Sequence, residues 1–300
     1  MRARPADPRP AERTAVLHPW PLRVLRSIEF AVAKVGSRDG YVEARAAPFN
    51  LKFVGPAADC ITRHIYRLGA HEADITRYVM EHIHLRPGEI AVDVGANLGW
   101  YTVLLSRLSA PGARIFAFEP DPETYALLSR NLRLNAATGV AALNVALGDT
   151  PGMAVLHRYK SSNNGRHTLS PGRDGGGGEC EVSVQTLDSF CEAQGLAESR
   201  IRFLKIDVEG FEYFVLRGAA NALRRCDCIL LELNRGDAAD ELVQLLAASG
   251  LAASAFIGGR LRPMVFSEIR QSPDQLDLLL TPMTHSSVDR AEEASHGSTR

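Results

Sequence analysis

Between residues 70 and 282, short apolar runs bounded by glycine or proline alternate with longer stretches whose apolar residues recur at helical spacing. Ile90, Ala91, Val92 and Val94 form the clearest run, the pattern of a strand buried on both faces of a parallel sheet. Gly95-Ala96-Asn97-Leu98-Gly99 follows, and Trp100–Leu108 has the spacing of a helix. The same alternation predicts strands at 114–119, 140–145, 153–159, 181–186, 203–206 and 228–233. Helices are predicted at 123–135, 187–194, 211–216 and 238–249. Two weaker strands near 252–257 and 276–280 fit an antiparallel hairpin closing the sheet edge. Strands alternating with helices in this way predict a doubly wound α/β sheet.

Outside this block the pattern weakens. Residues 1–19 are rich in Pro, Arg and Ala without periodicity and are expected to be disordered. Residues 20–36 place Leu22, Leu25, Ile28, Val32 and Val35 on one helical face, with Arg23, Arg26 and Lys34 elsewhere. This predicts a helix docked on the domain, with a membrane-surface helix as the alternative. Residues 40–54 alternate as a hairpin or edge strands would, and a helix is predicted at 73–84. Residues 161–178 are polar and glycine-rich and cannot build core. They read either as a mobile flap over a substrate or as a disordered insertion. The expected organisation is a disordered segment at 1–19, a helix and edge elements at 20–69, one domain at 70–282 with a flexible insertion near 160–180, and a polar tail at 283–300.

Composition narrows the function classes. A net charge of −1 gives no reason to expect nucleic acid as a partner. The five cysteines, Cys60, Cys180, Cys191, Cys226 and Cys228, are scattered without zinc-ligand spacing and read as idle thiols in a reducing compartment. No apolar run reaches the roughly 18–20 residues of a membrane span, and no signal-peptide pattern opens the chain. A cytoplasmic protein is expected.

Strand, glycine turn and helix at 90–108 form the opening of a nucleotide-binding unit. Gly95 and Gly99 allow a tight turn and close approach of a ligand, and the helix start offers free N–H groups. A dinucleotide site needs G-x-G-x-x-G, whereas Asn97 stands inside this turn and the spacing differs. Asp93, just before the turn, disfavours a diphosphate but suits a ligand carrying an ammonium and a sulfonium. That points to S-adenosylmethionine (SAM) rather than NAD. Glu119, at the end of the second strand with Pro120 beside it, is placed to accept both hydroxyls of a ribose. Ala146-Leu147-Gly148-Asp149 suits an adenine slot with an acid for its amine. Asp207 and Glu209, after the strand at 203–206, face the same crevice in a doubly wound sheet. Asp207, Glu209 and His167 are therefore the candidate general bases. A divalent ion on Asp207, Glu232 and Asn234 is conceivable, but no trusted spacing supports a metal. An NAD(P)-dependent oxidoreductase and a catalytically idle SAM-binding module are the rival readings.

The runs VDVGANLGWYT, FAFEPDP, NVALGD, TLDSF and FLKIDVEGFEYFVLRGA, in this order, resemble the FkbM family of SAM-dependent methyltransferases. The likeness covers about Ala70 to Pro282. It implies a Rossmann-like class I methyltransferase fold, a seven-stranded, mostly parallel sheet with helices on both faces and the last strand antiparallel. It also implies methylation of a hydroxyl oxygen on a sugar, lipid or natural product. By the same likeness Asp93, Gly95, Asn97 and Gly99 match the SAM loop, Glu119 the ribose acid and Glu72 an upstream acid near the site.

Overall fold

The computed structural model describes residues 17–46, 49–159, 167–170, 176–234, 239–272 and 275–283. The chain opens with helix α1 (Trp20–Gly36), the hairpin β1 (Tyr41–Ala46) and β2 (Leu51–Pro56), and helices α2 (Cys60–Leu68) and α3 (Ala73–His82). The α/β core follows as β3 (Ile90–Val94), α4 (Trp100–Leu108), β4 (Arg114–Phe118), α5 (Pro122–Leu134), β5 (Val140–Leu143), β6 (Ala146–Leu147), β7 (Gly152–Tyr159) and β8 (Gly176–Gln185). It continues with α6 (Leu187–Ala193), β9 (Ile201–Ile206), α7 (Glu212–Arg217), α8 (Ala220–Leu223), β10 (Ile229–Leu233) and α9 (Ala239–Ala248). The last elements are β11 (Leu251–Ile257), β12 (Arg260–Met264), α10 (Phe266–Gln271) and β13 (Leu276–Pro282).

The main sheet has eight strands in the order β12-β11-β13-β10-β9-β3-β4-β5. β10, β9, β3, β4 and β5 are mutually parallel, and β13 enters antiparallel to β10. This is the expected doubly wound sheet with one strand more, because β12 pairs onto β11 at the edge. β12 is almost wholly exposed, so it has no buried face to write an alternating pattern into the sequence, and Pro263 is tolerated at such an edge. A second sheet, β6-β8-β7, stands beside the main one. Gly176–Gly178, read from sequence as part of a glycine-rich loop, opens β8 instead, because backbone pairing with β7 needs no side chains. Residues 160–166 and 171–175 of that stretch lie outside the described residues.

All five residues of β3 are buried. Alternation sends Ile90, Val92 and Val94 to the face shared with Leu204, Ile206, Phe190, Val215 and Leu246. Ala91 goes to the other face, with Phe203, Leu230, Val79, Val103 and Phe53. In the parallel ladder Asp93 stands opposite Lys205.

Two further departures concern the N-terminal part. His18, expected within the disordered segment, is buried, and its N–H bonds to the Leu68 carbonyl at 2.7 Å. Helix α1 does dock, but Phe30 is its only buried residue, and Leu25, Ile28, Val32 and Val35 face solvent.

The N-terminal hairpin is held to the core by two asparagines of α5. Asn131 receives the Val54 N–H at 2.7 Å and donates to the carbonyls of Val54 (3.1 Å) and Leu98 (2.9 Å). Asn135, just past the helix, pairs with both backbone groups of Lys52. These amides do for the β2 edge what a neighbouring strand would do. Because Asn131 also holds Leu98, it fixes the glycine turn against the hairpin. Asn131→Ala removes three buried hydrogen bonds and is expected to cost about 3 kcal/mol in urea unfolding. A loss below about 1 kcal/mol would mean that apolar packing alone holds the hairpin.

Candidate functional site

The carboxyl ends of β3, β4 and β9 open into one cavity. Glu72, Asp93, Gly95, Asn97, Glu119, Pro120, Ala146, His167, Asp207 and Glu209, ten of the twelve residues singled out from sequence, line it. Gly99 does not; it shapes the turn as the left-handed residue at the start of α4. Asp149 also lies outside the lining, and its carboxylate pairs with Arg217 at 3.2 Å. The spacing after β6 carries the acid past the cavity wall to the α7 side.

The glycine turn and the turn after β9 are packed back to back. Gly95 has φ +75°, and a Cβ there would meet the Asp207 carbonyl oxygen at 1.9 Å. Only glycine allows that approach. Asn97 is also left-handed (φ 50°), and its N–H reaches the Glu119 carboxylate at 2.9 Å. The other Glu119 oxygen receives the Asp121 N–H at 3.0 Å. Both oxygens of this buried acid are therefore fixed, each with a lone pair to spare.

Asp93 is fully enclosed. One oxygen accepts from the Thr102 hydroxyl at 2.6 Å, and Oδ1 has no hydrogen-bond partner among the described residues. Lys205, its cross-strand neighbour, is 5% exposed and donates to Asp207 at 2.8 Å. From above, Glu72 accepts from the Tyr101 hydroxyl at 2.6 Å and lies 3.1 Å from His71 Nε2. Sequence reasoning selected none of Lys205, Tyr101 and His71 as a site residue. A lone cation inside the apolar run RFLKID was the available signal for Lys205.

The opposite wall is apolar, built from Val145, Ala146, Leu147, Leu156, Leu169 and Phe211. The turn Val208–Gly210 is hooked to the segment 167–170, which bridges to β7 at His157, since Thr168 donates to the Glu209 carbonyl at 2.8 Å and Ser170 to the Gly210 carbonyl at 3.0 Å. Glu209 itself is held at φ 53°, a sparsely populated conformation of the kind that clusters at functional sites. His167 accepts the Tyr159 N–H on Nδ1 at 3.2 Å. In the neutral ring the proton then sits on Nε2, so His167 is set as a donor and has no free lone pair for a base. Asp207, Glu209 and Glu232 each bring one carboxylate oxygen within 4.8 Å of the others. Asn234 bonds to Glu212 and Glu232.

The donor set fits a ligand with a ribose, an ammonium and a positive centre. Glu119 presents two anchored oxygens, Asp93 an unpartnered one, and the apolar wall a slot for a flat ring. A diphosphate would have to sit among buried acids.

Residues 93–256 match the family described as the methyltransferase FkbM domain. The chain is 25% identical over 232 residues to the hexuronic acid methyltransferase AglP of Haloferax volcanii, spanning 77% of this chain and 90% of that protein. It is 30% identical over 207 residues to the 31-O-demethyl-FK506 methyltransferase FkbM of Streptomyces tacrolimicus, spanning 59% of this chain and 78% of that one. An rRNA methylase structure from Streptococcus thermophilus superposes with a TM-score of 0.42 at 14% identity, covering 71% of this chain and 96% of that chain.

Charge in the cavity is tightly coupled. Burial works against the Lys205 ammonium, but Asp207, Asp93 and Glu72 outweigh it and hold the group above its ordinary value. Burial likewise opposes the Glu72 carboxylate, yet His71, Lys205 and Tyr101 keep it well below the usual range. Burial pushes Glu119 up to about 8 and, with Asp207 and Glu72 nearby, Glu232 up to about 10. Burial lowers His18, His64 and His167, while the acids around His71 raise it against its burial. Between pH 6.5 and 8 the unfolded chain releases the last protons of its histidines while the lowered ones of the folded chain hold fewer, a small gain in stability that opposes the carboxyl effect. Glu119, Glu232 and His71 retain protons in the folded state that the unfolded chain has released, so stability falls as pH rises. The ligand-free protein is expected to lose about 2 kcal/mol of unfolding free energy between pH 6.5 and 8. Urea titrations at the two pH values check this, and a flat or rising profile contradicts the charge assignment.

Proposed function

The chain belongs to the FkbM family of methyltransferases, which is SAM-dependent, and from that premise we propose that it transfers the methyl group to a hydroxyl oxygen of a small-molecule, glycan or lipid acceptor rather than to a nucleic acid. The observation that carries this reading is one cavity holding an anchored carboxyl, Glu119, a buried acid with one oxygen left without a hydrogen bond among the described residues, Asp93, and a strained carboxylate-bearing turn at Glu209. The names of the two relatives, a hexuronic acid methyltransferase and a 31-O-demethyl-FK506 methyltransferase, support a sugar or natural-product acceptor, and the second names an oxygen as the methylated atom.

Bound SAM supplies an electrophilic methyl group on a sulfonium that leaves readily. In this reading Glu119 accepts the ribose hydroxyls, with Pro120 and Asn97 shaping the turn around them. Asp93 and Asp207 face the ammonium end, where Lys205 holds Asp207 in place. Glu72 orders His71 and Tyr101 at the rim. The wall at Val145–Leu147 and Phe211 receives the adenine, and Asp149 has no part in holding it.

An alcohol must lose its proton as the carbon–oxygen bond forms. Glu209 is the base favoured here, because its left-handed turn sets it in the cavity lining at the carboxyl end of β9. The hydroxyls of Thr168 and Ser170 hold the backbone on either side of the Glu209–Gly210 peptide, which fixes the base before the acceptor arrives. Positioning of this kind supplies about 7–11 kcal/mol when alignment is good, and a base adds roughly 10²–10⁴-fold.

Two substitutions separate binding from transfer. Glu119→Ala is expected to weaken SAM binding about 30-fold in calorimetry, the equivalent of about 2 kcal/mol. Unchanged affinity removes the ribose role. Glu209→Gln is expected to lower turnover about 10²–10⁴-fold, with SAM affinity kept within about threefold. The readout is labelled methyl transfer into a hydroxyl-rich extract. Wild-type protein that binds SAM and methylates nothing there is an idle binding module, and a Glu209→Gln variant with full turnover places the base elsewhere.

A further inference from the structure

Helix α1 is mounted on the molecule with its polar side inward. Ser27 accepts from Arg67 Nε at 2.8 Å and donates to the Arg23 carbonyl. Arg26 pairs with Glu29, and the Nε atoms of Arg23 and Arg26 are shut away from solvent. Phe30 alone is buried, edge-on to Tyr66 of α2. The other side is an apolar stripe of Trp20, Val24, Leu25, Ile28, Val32 and Val35, each 47–88% exposed. Spacings of four, four, four and three from Trp20 through Val24, Ile28 and Val32 to Val35 keep the stripe on one face over the whole helix. A surface helix of a water-exposed protein is oriented the other way round.

Charge and area decide what covers this face. Residues 1–38 contain eight Arg and Lys (Arg2, Arg4, Arg9, Arg13, Arg23, Arg26, Lys34, Arg38) against three acids (Asp7, Glu12, Glu29), a surplus of five in a chain whose net charge is −1. A second copy meeting this helix would bring the same surplus against it. Area is also short: the stripe is a single row of six side chains on one helix about 25 Å long. A stable protein interface needs about 800 Å² per partner. An anionic lipid surface meets both conditions, since it takes an apolar helix face at the headgroup boundary and attracts the flanking cations. Trp20 at the helix start has the amphipathic ring that prefers that boundary.

We propose that α1 is an interfacial anchor that binds the protein to anionic membranes. The surface lies one helix from the cavity: α1 packs on α2, whose first residues, Cys60 and Ile61, line the cavity wall. The anchor does not depend on which acceptor is methylated.

The chain has two tryptophans, and only Trp20 is exposed (71%, against 3% for Trp100), so tryptophan emission reports on this helix. Full-length protein mixed with vesicles of phosphatidylcholine and phosphatidylglycerol is expected to show a blue shift that Trp20→Phe abolishes, and to sediment with the vesicles. Raising the salt, or omitting the phosphatidylglycerol, is expected to cut the bound fraction at least tenfold. Ile28→Glu/Val32→Glu is expected to do the same while keeping wild-type SAM affinity, which shows that the variant is folded. Absence of the shift and of co-sedimentation overturns the proposal. So does equal binding to phosphatidylcholine alone, or a dimer in sedimentation equilibrium that Ile28→Glu/Val32→Glu dissociates, which would assign the face to a second copy.

Discussion

The Lys205 ammonium, buried at the carboxyl end of β9, is the group around which the site is arranged. Its position follows from register: the parallel pairing of β3 with β9 sets Asp93 opposite Lys205, on the face shared with Ala91 and Phe203. A cation so enclosed must be paired. Asp207 satisfies it directly, and Asp93 and Glu72 add to the field. Glu232 stands beside Asp277 across the antiparallel β10–β13 pair, so two more acids face the same end of the sheet. Acids outnumber cations there, and their crowding holds protons on Glu232 and raises Asp93 and Asp277, so a positively charged guest is accommodated better than a negative one.

The back-to-back packing of two turns carries that charge pattern into a usable shape. Gly95 lets the turn after β3 touch the Asp207 carbonyl, so the acid before one turn and the acid before the other are fixed relative to each other by backbone contact. The segment 167–170 then closes the ring, with the hydroxyls of Thr168 and Ser170 gripping the Glu209–Gly210 backbone from outside. The left-handed conformation of Glu209 persists because these contacts over-determine it.

The parts of this arrangement that were legible in the sequence are those carried by adjacent residues. The apolar run into Gly95, the acid at the end of β4 and the run into Asp207 each state their own structure locally, and ten of the residues they suggested meet at one cavity. What escaped depends on partners far along the chain. The partnership of Lys205 with Asp93 requires the strand register, and that of Glu72 with Tyr101 requires the docking of α3 against α4. The amide clamp of Asn131 on β2 spans 77 residues. Asp149 lies outside the cavity lining, because a two-residue strand leaves the direction of the following loop open. For α1 the spacing of apolar residues fixed a stripe but not which side of the helix meets the body. His167 was ranked as a base on its ordinary pKa, which says nothing about the Tyr159 N–H that occupies its lone pair.

On the proposed reading, the raised protonation of Glu119 bears on how the cavity would select among nucleotide-like ligands. A carboxyl that holds its proton to about 8 is one whose charge the surrounding protein solvates poorly. Two backbone N–H groups are insufficient, so a ligand that adds hydroxyl donors improves the ionised form, and its binding is favoured by as much as it relieves. At the other end Asp93 keeps an oxygen with nothing to accept from. A ligand bearing a sulfonium and an ammonium relieves both defects at once. A dinucleotide satisfies the first but sets a diphosphate beside Asp93, Glu72 and Asp207, adding negative charge where the fold already has too much. On that reading, discrimination between the two ligands rests on the charge of the basin as well as on the glycine spacing of the turn.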